Sequence, residues 1–339
     1  MEAEPTYPGA DAGVAALVDV LRRIDPGHPS RAVMGSGHYA NVLDLGGGRG
    51  LALSTDGVGT KLMVAEALGR HDTVGIDCMA MNVNDVVCVG AEPIALLDYI
   101  AVVEADPIVL AAVAEGLRRG AEDAGVEIPG GELAVVPEMV KGLDLVGACV
   151  GTVQLDAIVT GAAIEPGDAI VGLPASGVHS NGLTLARRAL PDLDEKPSEL
   201  DGASVGETLL EPTVIYVRAV LDLLRSDVEA RGLAHITGDG LLNLLRLEAE
   251  VGYRIAAPLP RPPVFDLIAS RGSVAEAEMH EVFNLGCGFC CVVPEAQAAA
   301  AVALLSERHP GAAVIGEVTA TTGVVEVAGL EGRRGQGFA

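Results

Sequence analysis

Hydrophobic and polar positions along this chain fall into short blocks separated by glycine- and proline-bearing turns. Helical spacing of apolar residues predicts a first helix over 11–23, and 32–48 is glycine-rich and irregular around Gly35-Ser36-Gly37-His38-Tyr39. A strand is expected over 51–55, followed by a turn at Asp56-Gly57-Val58-Gly59, then a helix over 73–90 and an extended segment over 94–102. Pro107 opens the next helix at its first turn, Gly125 stops it, and 143–153 reads as a strand of near-continuous apolar character. The pattern then resets at the turn Glu165-Pro166-Gly167-Asp168. Beyond it come strand 169–173, a Gly/Ser loop at 174–182, helix 183–190 and a polar surface excursion over 191–207. Helix 212–225, strand-loop 234–240, helix 241–248, strand 286–293, helix 295–307 and strand 313–318 complete the reading.

Alternation of strands and helices in both halves predicts an α/β protein of two domains, with the boundary near 156: residues 1–156 and 157–339. A length of 339 residues also exceeds one ordinary core. Half of the residues are hydrophobic but only 3% are aromatic, so the core is expected to pack small aliphatic side chains. The 47 acidic and 22 basic residues leave a formal charge of −25, which excludes duplex nucleic acid and anionic membranes as main partners. An acidic, lysine-poor surface has two readings: solubility in concentrated salt, or the codon bias of a GC-rich genome. Residues 1–10 place acids and prolines ahead of any apolar stretch, unlike a secretory leader, and no run reaches membrane-span length. Cys287, Cys290 and Cys291 have no second CxxC or His pair to complete a zinc site, and they sit in an apolar run that reads as a buried strand. A reducing cytoplasm is the expected compartment.

Five segments concentrate candidate chemistry, although neither a GxxxxGK[ST] nor a GxGxxG loop occurs. In Thr55-Asp56-Gly57-Val58-Gly59-Thr60-Lys61 an acid, two glycines and a cation suit metal and phosphate together, or an ordinary turn. Asp77, Asn82 and Asp85 lie on an apolar helix, where a carboxylate needs a partner; a hard cation is one, a cap or structural hydrogen bonds are others. Glu132 follows Gly130 and Gly131, and Asp56, Asp85 and Glu132 are candidates to converge on Mg²⁺ bridging ATP phosphates. The loop Ser176-Gly177-Val178-His179-Ser180-Asn181-Gly182 reads as an anion site before a helix, with capping by Ser180 or Asn181 as the competing account. Thr237-Gly238-Asp239-Gly240 after His235 repeats the same logic as a second anion- or base-binding loop.

Taken together and in this order, these segments resemble aminoimidazole ribonucleotide synthetases, the phosphoribosylformylglycinamidine cyclo-ligases. The matching stretches are DGVGTK at 56–61, Gly75-Ile76-Asp77, MNVNDVVCVGAEP at 81–93, 130–132, SGVHSNG at 176–182, LEPTVIYV at 210–217, 235–240 and 283–288. Gly37-His38-Tyr39-Ala40 resembles the archaeal branch, and the likeness spans roughly 10–328. It implies a PurM-like fold whose N-terminal strands form a barrel across a homodimer, with an α/β C-terminal domain. It implies ATP and Mg²⁺ as cofactors, handled by Asp56, Asp85 and Glu132 with Asn82 in support and Asp77 nearby. Gly57, Gly59, Thr60 and Lys61 would border the phosphates, Lys61 as a phosphate cation or a structural residue. Formylglycinamidine ribonucleotide would lie between the domains against Ser176, Gly177, His179, Ser180, Asn181, Thr237 and Gly238. His179 is the one titratable group near neutrality in that loop. Asp239 stands where a third glycine is expected and Leu133 where Thr is usual. The alternatives are a thiamine-monophosphate kinase-like enzyme of the same architecture and an inactive nucleotide-binding scaffold.

Overall fold

The computed structural model describes residues 10–35 and 37–339; the acid- and proline-bearing start and Ser36 of the Gly35–Tyr39 segment lie outside the described residues. The N-terminal half follows helix α1 (Ala10–Leu21) with strands β1 (Asn41–Asp44) and β2 (Arg49–Gly57), and helices α2 (Lys61–Leu68) and α3 (Val74–Val87). Strand β3 (Glu92–Val102), helix α4 (Pro107–Ala124), and strands β4 (Glu127–Val135) and β5 (Leu143–Gln154) complete it. These five strands form one sheet in the order β1-β2-β5-β3-β4, antiparallel except for the β3–β4 pair. Helix α4 begins as the sequence predicts: Pro107 occupies the first turn, Asp106 accepts from the Ile108 amide at 2.7 Å, and Gly125 ends it at φ 75°.

Helix α3 is the centre of this half, because nearly every residue on it is buried whichever way it faces. Glycine permits α4 to lie directly on it: a Cβ on Gly75 would fall 2.2 Å from the Leu117 nitrogen. The helix covers one face of the sheet. The other face presents Leu53, Leu97 and Tyr99 to solvent, with Val146, Ala148 and Val150 of β5 beside them in register.

An eight-stranded sheet organises the C-terminal half, from β6 (Ala169–Pro174), β7 (Gly232–His235), β8 (Gly252–Ile255), β9 (Cys287–Val293), β10 (Ala313–Thr319), β11 (Val325–Val327), β12 (Leu330–Arg333) and β13 (Gly337–Phe338). Its order is β13-β12-β11-β8-β10-β6-β9-β7. Helices α5 (Leu183–Ala189), α6 (Val205–Leu209), α7 (Val217–Leu224), α8 (Pro263–Gly272), α9 (Glu276–Val282) and α10 (Ala298–Ser306) pack around it. Cys287, Cys290 and Cys291 fill the core from β9, and all six cysteines are free and buried.

Four expectations change. Strand β2 runs through Asp56 and Gly57, so the turn begins only afterwards. The helix expected over 212–225 starts at Val217, because Asp77 takes the Thr213 amide at 2.8 Å and Asn84 takes the Tyr216 amide at 2.9 Å, holding 211–216 out of the helix. The segment expected as helix 241–248 is a 3₁₀ turn, Gly240–Arg246. The polar excursion at 191–207 is partly structured: Ser204 and Glu207 form a reciprocal capping box that starts α6.

Candidate active site

A cavity of about 520 Å³ opens beside the C-terminal end of β2, lined by Gly35, residues 37–41 and 53–56, by Asp85, and by Thr237 and Arg246 from the C-terminal half. Asp56 is placed there through its backbone. Its amide donates to Asn82 Oδ1 at 3.0 Å, and Asn82 Nδ2 returns a bond to the Asp56 carbonyl at 3.1 Å and another to Cys78 at 2.8 Å. Asn82 is fully buried, so it anchors the strand end rather than meeting a ligand. The Asp56 carboxyl accepts from the Gly57 amide at 2.8 Å; burial pushes its pKa above the ordinary carboxylate value, and the nearby Asp85 adds to that rise.

Asp85 comes from the last turn of α3, and its Oδ1 lies 2.9 Å from Nδ1 of His235, a fully buried residue at the end of β7. The other ring nitrogen, Nε2, lies 3.4 Å from Asn84 Nδ2. An amide NH₂ can only donate, so Nε2 accepts and Nδ1–H donates to Asp85. One carboxylate oxygen of Asp85 is thereby committed and the other is left for the cavity. Two carboxylates on one cavity wall, one of them with a raised pKa, suit a hard cation that retains waters and shares phosphate oxygens.

Glu132 does not join them. Asp56 sits in register with Gly147, Asp98 and Gly131, whereas Glu132 belongs to the next row with Gly57, Val146 and Tyr99. Successive rows point to opposite faces, so Glu132 projects from the uncovered face, three strands and roughly 14 Å away. Among the described residues, no group of three His, Cys, Asp or Glu side chains is placed to hold a metal ion.

Of the two readings of Lys61, phosphate cation or structural residue, its surroundings favour the second. It is fully buried, and its Nζ bonds Asp77 Oδ1 at 2.8 Å and the Glu211 carbonyl at 2.5 Å. Asp77 Oδ1 also accepts from the Thr213 amide and hydroxyl at 2.8 and 2.6 Å. Lys61 and Asp77 therefore fasten the 211–213 segment to α2 and α3 and are not exposed to a phosphate. Gly59, at φ 69°, and Thr60 remain exposed, and the Thr60 hydroxyl meets Thr184 on α5 at 3.3 Å. The DGVGTK turn thus faces the loop at 176–182 across the domain boundary.

In that loop, Ser176 donates its hydroxyl to the Pro212 carbonyl at 2.6 Å, Ser180 meets Thr213 at 3.2 Å, and the Gly177 carbonyl accepts from Asn284 at 2.9 Å. Neither Ser180 nor Asn181 caps α5: the cap position is Gly182 at φ 71°, with no side-chain bond. Asn181 Nδ2 is buried without a partner, and a Cβ on Gly238 would lie 3.6 Å from its Oδ1, so the 176–182 and 237–240 loops adjoin. His179, the titratable group of this loop, points inward. It is 1% exposed, its Nε2 accepts from the Ser176 amide at 3.3 Å, and burial holds its pKa well below the ordinary imidazole value, with His235 and Lys61 adding to the depression. It remains neutral near pH 7 and shapes the loop. Asp239 adopts φ 71° and is exposed, a backbone state that explains the glycine expected there.

Sequence reasoning passed over His235, Tyr39 and Arg246 as site residues. A lone His at a strand start and one Arg after a glycine loop carry little local signal; their meaning appears only when the two halves meet.

Two family models cover the chain: "AIR synthase related protein, N-terminal domain" matches residues 37–153, and "AIR synthase related protein, C-terminal domain" matches 165–328. The chain is thus a two-domain AIR synthase-related protein. Phosphoribosylformylglycinamidine cyclo-ligases of Thermococcus gammatolerans and Methanothermobacter thermautotrophicus are each 47% identical to it, over 92% and 93% of the chain and 91% of either relative. That of Pyrococcus furiosus is 49% identical over 85% of both chains. This protein belongs to the phosphoribosylformylglycinamidine cyclo-ligase family, ligases of purine biosynthesis. Solved structures share the fold at lower identity. A hydrogenase maturation protein HypE in complex with ATP has TM-score 0.60 and 24% identity, covering 95% of this chain and 93% of its own. Thiamine monophosphate kinase from Aquifex aeolicus has TM-score 0.61 and 18% identity, covering 94% and 96%. The kinase is alike in architecture, while sequence identity places the chain with the cyclo-ligases.

Proposed function

We propose that this enzyme uses ATP and Mg²⁺ to close formylglycinamidine ribonucleotide to 5-aminoimidazole ribonucleotide, releasing ADP and phosphate. The observation that carries this reading is the near-full-length identity to cyclo-ligases, joined to a cavity lined by both Asp56 and Asp85. These two carboxylates would hold the metal, which would supply charge neutralisation at the polyphosphate. Gly57, Gly59 and Thr60 border the phosphates, and the adjoining 176–182 and 237–240 loops take the ribonucleotide. Lys61, Asp77 and Asn82 act structurally, and Glu132 is left out of the protomer's own metal set.

In the reaction, the formyl oxygen of the substrate attacks the γ-phosphorus of ATP and ADP departs. An amidine nitrogen then bonds to the same formyl carbon, the C–O bond breaks, and the oxygen leaves in inorganic phosphate. Catalysis on this scheme comes from holding the two reactants in line and excluding water. Dimerisation follows from the uncovered sheet face: Leu53, Leu97 and Tyr99 form an apolar surface that a second copy would bury. We place the domain boundary near 156 and the enzyme in the cytoplasm. Substrate carrying oxygen-18 in the formyl group should yield labelled inorganic phosphate, one label per turnover. Unlabelled phosphate would refute the phosphorylated intermediate, and turnover of thiamine monophosphate without this substrate would favour the kinase reading.

A further inference from the structure

Burial of Lys61 leaves the cavity without the cation that the DGVGTK motif was expected to supply, and Arg246 is the one Lys or Arg among its lining residues. It ends the 3₁₀ turn that follows the 237–240 loop, and its guanidinium carbon lies 4.6 Å from the centroid of the Tyr39 ring. The platform is itself fixed. Tyr39 donates its hydroxyl to the Asn243 carbonyl at 2.9 Å, and Asn243 Nδ2 bonds the carbonyls of Gly238 and Gly240 at 2.6 and 2.8 Å. Arg246 makes no hydrogen bond or ion pair among the described residues. Arg31, Arg49, Arg188, Arg333 and Arg334 also carry none, but those five are exposed, whereas Arg246 is half-buried in the cavity wall. Beside it, His38 is largely buried with neither ring nitrogen hydrogen-bonded.

We propose that Arg246, laid flat on Tyr39, is the guanidinium that receives phosphoryl oxygens in this cavity, in the role the sequence motif offered to Lys61. A planar fork of five donors with no protein acceptor matches two oxygens of one phosphoryl group, and stacking leaves it little rotational freedom to lose. Asp56 and Asp85 line the same cavity, so an anion entering here needs a positive group to offset their charge. The inference rests on the function proposed above, in which both ATP and the ribonucleotide bring phosphoryl groups to this cleft; the chemistry is shared, and binding measurements separate the two sources.

Isothermal titration of Arg246→Met and Arg246→Lys against Mg-ATP, AMP and formylglycinamidine ribonucleotide tests it, with melting curves to confirm folding. Loss of one charge-assisted contact should weaken the affected ligand by about ten- to a hundredfold in Arg246→Met, with partial recovery in Arg246→Lys. A loss for Mg-ATP but not AMP assigns the guanidinium to the terminal phosphates of the nucleotide, and a loss for the ribonucleotide alone assigns it to the substrate's phosphate. Unchanged affinity for all three ligands in folded Arg246→Met overturns this inference while leaving the cyclo-ligase reading intact. A wild-type protein that binds neither Mg-ATP nor the ribonucleotide overturns both.

Discussion

Replacing Lys61 by Met separates a structural lysine from a phosphate-binding one. Met keeps most of the side-chain volume but strands Asp77 as a buried charge and leaves the Glu211 carbonyl without its donor. Removing one partner of a buried ion pair typically costs about 3–5 kcal/mol. The Thr213 amide and hydroxyl still bond Asp77, which favours the lower end, about 3 kcal/mol. With an unfolding entropy of about 2.1 cal/mol/K per residue over 339 residues, that corresponds to a melting temperature lower by ~4 °C, provided the chain melts as one unit. Differential scanning calorimetry reads the shift, and steady-state kinetics well below the transition should give a KM for ATP within about twofold of wild type, as expected for a group outside the cavity. An unchanged melting temperature with a KM for ATP raised tenfold or more would refute the assignment and return Lys61 to the phosphates.

Asp85→Asn should lower kcat by at least a hundredfold while the fold persists, losing several kcal/mol of transition-state stabilisation; near-normal turnover at saturating Mg-ATP would remove Asp85 from the site. Asp56→Asn should raise the melting temperature of the ligand-free protein at pH 7, because wild type carries a buried carboxylate whose folded pKa lies above its unfolded one. That advantage should fade as pH falls through the folded pKa, where wild type takes up its proton; a difference independent of pH would contradict the burial argument. Asp239→Gly should leave both fold and activity intact, since its exposed left-handed backbone suits glycine. Gly240→Ala should destabilise strongly, because a Cβ there would fall 2.1 Å from the His280 carbonyl; equal melting temperatures for these two variants would show that the loop yields.

Elements whose signals are local were legible in the sequence. Pro107 and Gly125 bracket α4, the polar-free run at 287–293 is a buried strand, and the 176–182 loop joins strand to helix. What escaped is what the other half of the molecule decides. Residues 211–216 carry an acceptable helical pattern, but Asp77 and Asn84 offer their backbone better-placed partners. Lys61 reads equally as a phosphate cation or a structural residue until the backbone carbonyl of Glu211, 150 residues away, is seen to accept its hydrogen bond. Glu132 lies apart from Asp56 and Asp85 for a geometric reason: a one-residue step along a strand reverses the face, and spacing from its glycines does not reveal which face is covered.

Helix α3 has a mechanical meaning beyond its place in the core. Asp77 grips Thr213, Asn84 grips both the Val214 carbonyl and the Tyr216 amide, and Asp85 meets His235. The attachment points of Asp77 and Asn84 are seven residues apart, about 10 Å along the helix at 1.5 Å per residue. A single bolt would leave the halves free to pivot. Bolts at both ends of a 10 Å bar, the far end carrying two, make a welded joint. Swinging the domains apart would shear several buried polar bonds at once, so the two halves of the chassis are held in one relative position.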